Sequence, residues 1–154
     1  MKPIKRTADA VWSGEVKSGR GKVRSASGVL NAPYSFGTRF EQQAGTNPEE
    51  LLAAAHASCF SMALSLTLGG AGHKPVEIST HAVCSIEAQQ PSGFKITKMR
   101  LETAATVPGL DDATFQQIAR DAERACPISN ALRGNLEIEL TASLTSLERT
   151  LPAR

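Results

Sequence analysis

The 154-residue chain has no run of Lys and Arg longer than Lys5-Arg6, and its 17 basic residues stand against 15 acidic ones for a formal net charge of +2. A face built to hold nucleic acid or an anionic membrane concentrates positive charge, so no nucleic-acid partner is expected. The basic N-terminus lacks an apolar core behind it, because Thr7, Asp9, Ser13 and Glu15 interrupt the segment. No export signal is expected from it, and a cytoplasmic protein is. Cysteines are few: Cys59, Cys84 and Cys126 lie far apart, with no CxxC. An odd, scattered set is no disulfide framework, which leaves buried thiols or catalytic ones. No internal repeat or low-complexity stretch divides the chain, and its length suits a single domain, 1–154.

One long apolar stretch is present, Leu51 to Leu68. It reaches the minimum length of a membrane span, but His56, Ser58, Ser61, Ser65 and Thr67 dilute it and alanines replace the bulky residues lipid favours. No membrane is expected as partner; a helix apolar on nearly all sides is expected to be surrounded by protein. Its start is marked by "GTNPEELL". Thr46 or Asn47 can cap, Pro48 suits the first helical position, and Glu49 and Glu50 favour the positive helix end. Gly69-Gly70 is the expected stop.

Ahead of this helix, "AVWSGEV" and "GKVRSASG" form a hairpin through "KSGRG", and "VLNAPYSFGTRFE" follows as a third, irregular strand of an antiparallel meander. Behind it, "VEISTHAVCSIE" alternates, with Val76, Ile78, Ala82, Cys84 and Ile86 on one face, which puts Cys84 inward. "GFKITKMRLETAATV" is the next strand, its apolar parity switching between Ile96 and Met99 as a bulge would require. "DDATFQQIARDAERAC" is an amphipathic helix with Phe115, Ile118, Ala119, Ala122 and Cys126 on one stripe. Pro127 disfavours helical geometry at Cys126 and can open a new short helix. "NLEIELTASLTSL" alternates as a last strand, and the tail "ERTLPAR" is expected to be loose.

Cys59 sits inside the apolar helix with Ala55, His56, Met62 and Ala63 one turn away. A buried cysteine commonly serves as a small hydrophobe. A reactive one needs a lowered pKa, from a helix N-terminus or a cation. Pro48 is about three turns away, beyond the reach of the dipole, so a cation must come from elsewhere. Arg39, in "GTRFE", and Arg20, in "SGRGK", both stand in Gly-containing loop contexts. Glu49 precedes Cys59 by about 15 Å of helix rise. For the two to share a site, the helix must break or the glutamate must come from a second subunit. His56 is within reach of Cys59 and could form a Cys–His nucleophile pair. Cys59 and Cys126, both inward, could instead meet across the core and act in sequence on a peroxide, through a sulfenic acid and then a disulfide.

"GTNPEELLAAAHASCFSMALS", "VPGLD" and "ACPISNAL" closely resemble the OsmC branch of the OsmC/Ohr family of bacterial thiol peroxidases, and the similarity extends over nearly the whole chain. The resemblance implies an α+β fold, an intertwined homodimer of β3-α-β2-α2-β subunits with the Cys59 helices buried at its centre. It implies reduction of organic hydroperoxides, such as those of lipids, in preference to hydrogen peroxide. No metal and no other cofactor is implied; the reductant is an external dithiol, typically a protein-bound lipoyl group. By position, Cys59 is then the peroxidatic cysteine and Cys126 the resolving one, with Arg39 and Glu49 a charge pair around the thiolate. The Ohr branch carries its arginine in a loop resembling Gly19-Arg20, and a tyrosine where His56 stands here. Cys84 falls outside the pair. Phe36, Phe40, Met62 and Leu66 are candidate walls for an alkyl chain.

Two readings of other classes compete with the peroxidase. A non-catalytic dimer binding an apolar ligand would leave Cys59 unreactive. A Cys–His hydrolase would use His56, for which no third residue to orient the imidazole is visible.

Overall fold

The computed structural model describes residues 2–145, which form six strands and four helices in the order β1 (Ala8–Ser13), β2 (Arg20–Ser25), β3 (Asn31–Ser35), α1 (Phe36–Phe40), α2 (Pro48–Gly70), β4 (Glu77–Ala88), β5 (Phe94–Thr106), α3 (Asp112–Ala125), α4 (Pro127–Leu132) and β6 (Glu137–Leu144). The tail from Glu148 lies outside the described residues. The elements gather into two compact units, one up to Leu51 and one from Leu52 onward.

In the first unit β1, β2 and β3 pair antiparallel in chain order, the expected meander. Gly21 on β2 faces the Tyr34 ring closely enough that any Cβ would collide with it, which lets Tyr34 lie against Trp12 with ring centroids 5.4 Å apart. The irregular third strand is corrected: it ends at Ser35, and "FGTRF" is the helix α1. A reciprocal cap explains the switch. The Ser35 side chain accepts from the Thr38 N–H at 3.2 Å, and the Thr38 hydroxyl accepts from the Ser35 N–H at 2.9 Å.

Asn47 opens α2, its Oδ1 accepting the Glu50 N–H at 2.8 Å, with Pro48 at the first helical position as expected. The helix then runs unbroken to Gly70. It stops there as expected, and the chain turns just beyond: Gly72 adopts φ +85°, a left-handed conformation suited to glycine, and the His73 N–H reaches back to the Leu68 carbonyl at 2.9 Å.

In the second unit the sheet order is β4-β5-β6, with β4 and β5 antiparallel and β5 and β6 parallel. A parallel pair needs a crossover, which α3 and α4 supply. The parity switch in β5 is a bulge: Ser85 pairs with Lys98 but Ile86 with Ile96, so Thr97 is passed over. Leu101 and Ala105 of β5, Phe60, Leu64 and Leu68 of α2, and Phe115, Ile118, Ala119, Ala122 and Cys126 from the expected stripe of α3 form one core cluster. Each large side chain in it contributes about 1.5–3 kcal/mol by leaving water. Cys84 is half-buried on β4, opposite Met99; Val76, expected on the same face, is corrected, since it precedes the strand and is exposed.

The expectation that protein surrounds α2 on all sides does not hold for the single chain. Its buried row is His56, Phe60, Leu64 and Leu68, each wholly inaccessible and four residues apart, whereas Met62 and Leu66 are 75% and 79% exposed. Composition marks a helix as apolar without saying whether its own chain covers every face. By length and composition alone α2 could cross a membrane.

Candidate active site

Arg39 and Glu49 meet within the first unit. The Thr38 hydroxyl donates to the Thr46 carbonyl at 2.8 Å, and the Asn47 amide donates to the Thr38 carbonyl at 3.1 Å. These bonds tie α1 to the start of α2, so that Arg39, at the end of one, reaches Glu49, at the beginning of the other. Arg39 Nη2 donates to Glu49 Oε1 at 2.7 Å, and Nε donates toward both carboxylate oxygens at 3.1 and 3.2 Å. This is the forked geometry of a strong guanidinium–carboxylate pair.

The Glu49 side chain is only 8% exposed against 37% for Arg39, so the carboxylate is sunk and the guanidinium keeps a free side. Arg39 Cζ also lies 5.1 Å from the Phe40 ring centroid, and the Phe40 ring meets that of Phe36 at a tilt, with centroids 4.9 Å apart. Arg39, Phe36 and Phe40, with Trp12, Val16, Tyr34, Ser35 and Pro48, line an apolar hollow of about 240 Å³. A guanidinium set in such a wall can offer hydrogen bonds to polar atoms of a ligand whose remainder is apolar. Arg20 does not join the pair; it lines a separate hollow of about 420 Å³ with Lys17, Gly19 and Gly37.

Cys59 and Cys126 meet within the second unit. Cys126 is wholly buried at the joint between α3 and α4, with φ −64° and ψ 120°, outside helical geometry as Pro127 requires. Its thiol is directed at the sulfur of Cys59, with an Sγ–Sγ separation of 3.4 Å. The small residues around Cys59 leave room for this approach. A disulfide needs about 2.05 Å between sulfurs, so the pair stands as two thiols close enough to bond after a short movement.

The environment within the chain does not favour a thiolate at Cys59. Burial pushes its pKa above the ordinary thiol value, and the Cys126 thiol adds to the rise, while a hydrogen bond from the Ile128 backbone N–H pulls the other way. Nucleophilic attack at neutral pH therefore calls for a cation at the sulfur.

His56 is one turn from Cys59 but is engaged elsewhere. Its Nε2 lies 2.8 Å from the Ser129 hydroxyl, and its Nδ1 is buried without a partner. Burial holds its pKa below the usual histidine value, opposed by the negative charge of Glu123. The imidazole is consequently neutral at physiological pH. Ser129 went unnoticed in the sequence. Its one signal is spacing, since it follows Cys126 by three residues as Cys59 follows His56.

Of the four candidate residues, the structure thus brings together Arg39 with Glu49 and Cys59 with Cys126. Of the four candidate alkyl-binding walls, Phe36 and Phe40 line the Arg39 hollow, and Met62 and Leu66 stand on the exposed side of α2.

Residues 41–141 match the family model described as OsmC-like protein. The chain is 48% identical over 137 residues to Peroxiredoxin OsmC of Escherichia coli, spanning 88% of this chain and 95% of that protein. It is 33% identical over 124 residues to Organic hydroperoxide resistance protein OhrB of Bacillus subtilis, covering 78% of this chain and 87% of that one. Among solved structures, an organic hydroperoxide resistance protein OsmC from Legionella pneumophila superposes with a TM-score of 0.75 at 27% identity, over 92% of this chain and 99% of the other. The crystal structure of OhrB of Bacillus subtilis does so with a TM-score of 0.72 at 29% identity, over 88% and 97%.

Proposed function

Since the chain belongs to the OsmC-like family and is a thiol peroxidase of the hydroperoxide stress response, we propose that Cys59 is its peroxidatic cysteine and Cys126 its resolving one. The observation that carries this is the 3.4 Å between their sulfurs. The Cys59 thiolate attacks the terminal oxygen of the hydroperoxide, the O–O bond breaks, and the departing alkoxide takes a proton to become an alcohol. Cys59 is left as a sulfenic acid. The Cys126 sulfur then displaces the hydroxyl, which leaves as water, and a Cys59–Cys126 disulfide forms.

The chemistry is cysteine-based and calls for no prosthetic group. An external dithiol, such as a protein-bound lipoyl group, returns the two thiols by exchange. Organic hydroperoxides, lipid ones included, are the favoured substrates over hydrogen peroxide. The apolar hollow beside Arg39 supports this preference.

The protein acts as an intertwined homodimer in the cytoplasm, each subunit's residues 1–154 working as one domain of that assembly. The exposed Met62–Leu66 face of α2 supports it, as an apolar patch on a helix that is core on its other side. In that dimer Arg39 and Glu49 of one subunit serve Cys59 of the other. The unbroken α2 supports this arrangement, because it removes the alternative in which a broken helix folds Glu49 back toward Cys59. Arg39 favours the thiolate and donates to the peroxide oxygens as charge develops on them, and Glu49 orients it.

The test is steady-state turnover with a dithiol reductant against cumene hydroperoxide, tert-butyl hydroperoxide and hydrogen peroxide. Organic peroxides should be consumed with the larger kcat/KM, and Cys59→Ser should abolish turnover. Peroxide left intact by the reduced protein would refute the proposal.

A further inference from the structure

α2 and the Cys126–α4 segment are joined at two levels. At one, Cys59 faces Cys126 at 3.4 Å and accepts a hydrogen bond from the Ile128 N–H; at the other, one turn back along α2, His56 faces Ser129 at 2.8 Å. The two levels are three residues apart on both segments, about 4.5 Å along a helix. The first level must close and reopen in every catalytic cycle, by roughly 1.4 Å if the sulfurs reach bonding distance. The second is wholly buried, heading the row that continues through Phe60, Leu64 and Leu68.

A polar pair is an odd choice here on grounds of stability alone. His56 Nδ1 has no partner, and a buried polar atom left unpaired costs more than an apolar group of the same shape would. What the pair supplies is direction. Apolar packing lets a short helix slide by fractions of an ångström, whereas a hydrogen bond holds its atoms at one distance and angle. Cys126 lies outside helical geometry and Pro127 has no backbone N–H; the Cys126 N–H and carbonyl bond only within their own segment, to the Glu123 carbonyl at 3.3 Å and the Asn130 N–H at 3.0 Å, so they do not set that segment's place along α2. α4 itself has only six residues.

We infer that His56 and Ser129 are positioning residues for the resolving step, a strut that sets the start of α4 along α2 so that Cys126 arrives within bonding range of oxidised Cys59. The inference rests on reading Cys59 and Cys126 as the peroxidatic and resolving cysteines. Neither strut residue exchanges atoms with the substrate. The strut therefore acts on disulfide formation and leaves attack on the peroxide alone.

Rapid mixing of reduced full-length protein with cumene hydroperoxide separates the two steps. Peroxide loss reports the first, and disulfide appearance, checked by dimedone capture of sulfenic acid and mass spectrometry, reports the second. In Ser129→Ala, peroxide loss should stay within about twofold of wild type while disulfide formation slows about tenfold or more, the scale expected when a reacting group is misplaced by a fraction of an ångström to one ångström. Trapped Cys59 sulfenic acid should accumulate.

A role in stability alone is separated by His56→Leu/Ser129→Ala, which removes both polar groups and leaves none unpaired. The double variant should melt close to wild type yet still form its disulfide slowly. Disulfide formation at the wild-type rate in Ser129→Ala, or recovered with stability in the double variant, overturns the strut. Wild-type protein that consumes peroxide without forming a Cys59–Cys126 bond overturns the underlying assignment instead, and the strut with it.

Discussion

The Cys126 thiol points at the Cys59 sulfur across 3.4 Å from the joint where α3 ends and Pro127 opens α4. Cys126 thereby combines complete burial with a backbone outside helical geometry, its N–H bonded back to Glu123 of α3 and its carbonyl forward to Asn130 of α4. The two cysteines should behave differently when removed. Cys59→Ser should consume no peroxide at all, whereas Cys126→Ser should consume one equivalent and stop as sulfenic acid, detectable by dimedone mass shift. Equal inactivation of both variants in the first turnover would contradict the division of labour.

Arg39 and Glu49 should matter to the ionisation of Cys59 more than to folding. Arg39→Lys keeps a charge but cannot reproduce the forked contact with Glu49. Its kcat/KM for cumene hydroperoxide should fall by roughly 10²-fold, about the loss seen when one donor to a developing oxyanion is removed. Thiol alkylation rates followed against pH should show a higher Cys59 pKa in Arg39→Ala than in wild type. An unchanged alkylation profile would remove Arg39 from the activation of the thiol.

Sharing of sites between subunits can be tested by complementation. Cys59→Ser protein keeps Arg39, and Arg39→Ala protein keeps Cys59. Mixing the two inactive dimers under conditions that exchange subunits should restore turnover if each site draws on both chains. If every site is confined to one chain, the mixture stays inactive.

The exposed side of α2 carries the dimer in this account. Leu66→Glu places a charge on a residue that is 79% exposed in the single chain, so a monomer would tolerate it within about 0.5 kcal/mol. In the dimer the same charge is buried, and sedimentation should show dissociation together with lost activity. A variant that stays dimeric and active would move the interface elsewhere.

The buried imidazole gives stability a pH dependence of known sign. His56 is held below the ordinary value of 6.5 by burial, with Glu123 opposing. As pH falls through 6.5 the unfolded chain takes up a proton that folded His56 refuses, so stability is fully present above that value and declines toward the lower, folded pKa. Urea midpoints at fixed protein concentration should drop between pH 7.5 and 5.5, and this one group supplies a slope of at most about 1.4 kcal/mol per pH unit. His56→Leu should flatten the profile.

Much of this was legible in the sequence because burial leaves periodic traces. The stripe of α3 survived intact, and the parity switch between Ile96 and Met99 became the bulge at Thr97. α1 was not legible, since five residues are too few to show a period and a local Ser35–Thr38 cap decides them. Ser129 left only a matched spacing, as a single hydroxyl on a six-residue helix carries no pattern. The two-sided character of α2 was visible as composition, but a face covered by its own chain and a face covered by another have the same composition.

Whether Cys59 and Cys126 are one redox pair is read most directly from their thiols. Reduced protein is mixed with one equivalent of cumene hydroperoxide per subunit, remaining thiols are counted, and peptides are mapped by mass spectrometry. The Cys59 and Cys126 thiols should be lost, with a bond between them within one chain and an unmodified Cys84. Peroxide left intact with all thiols unchanged would contradict it.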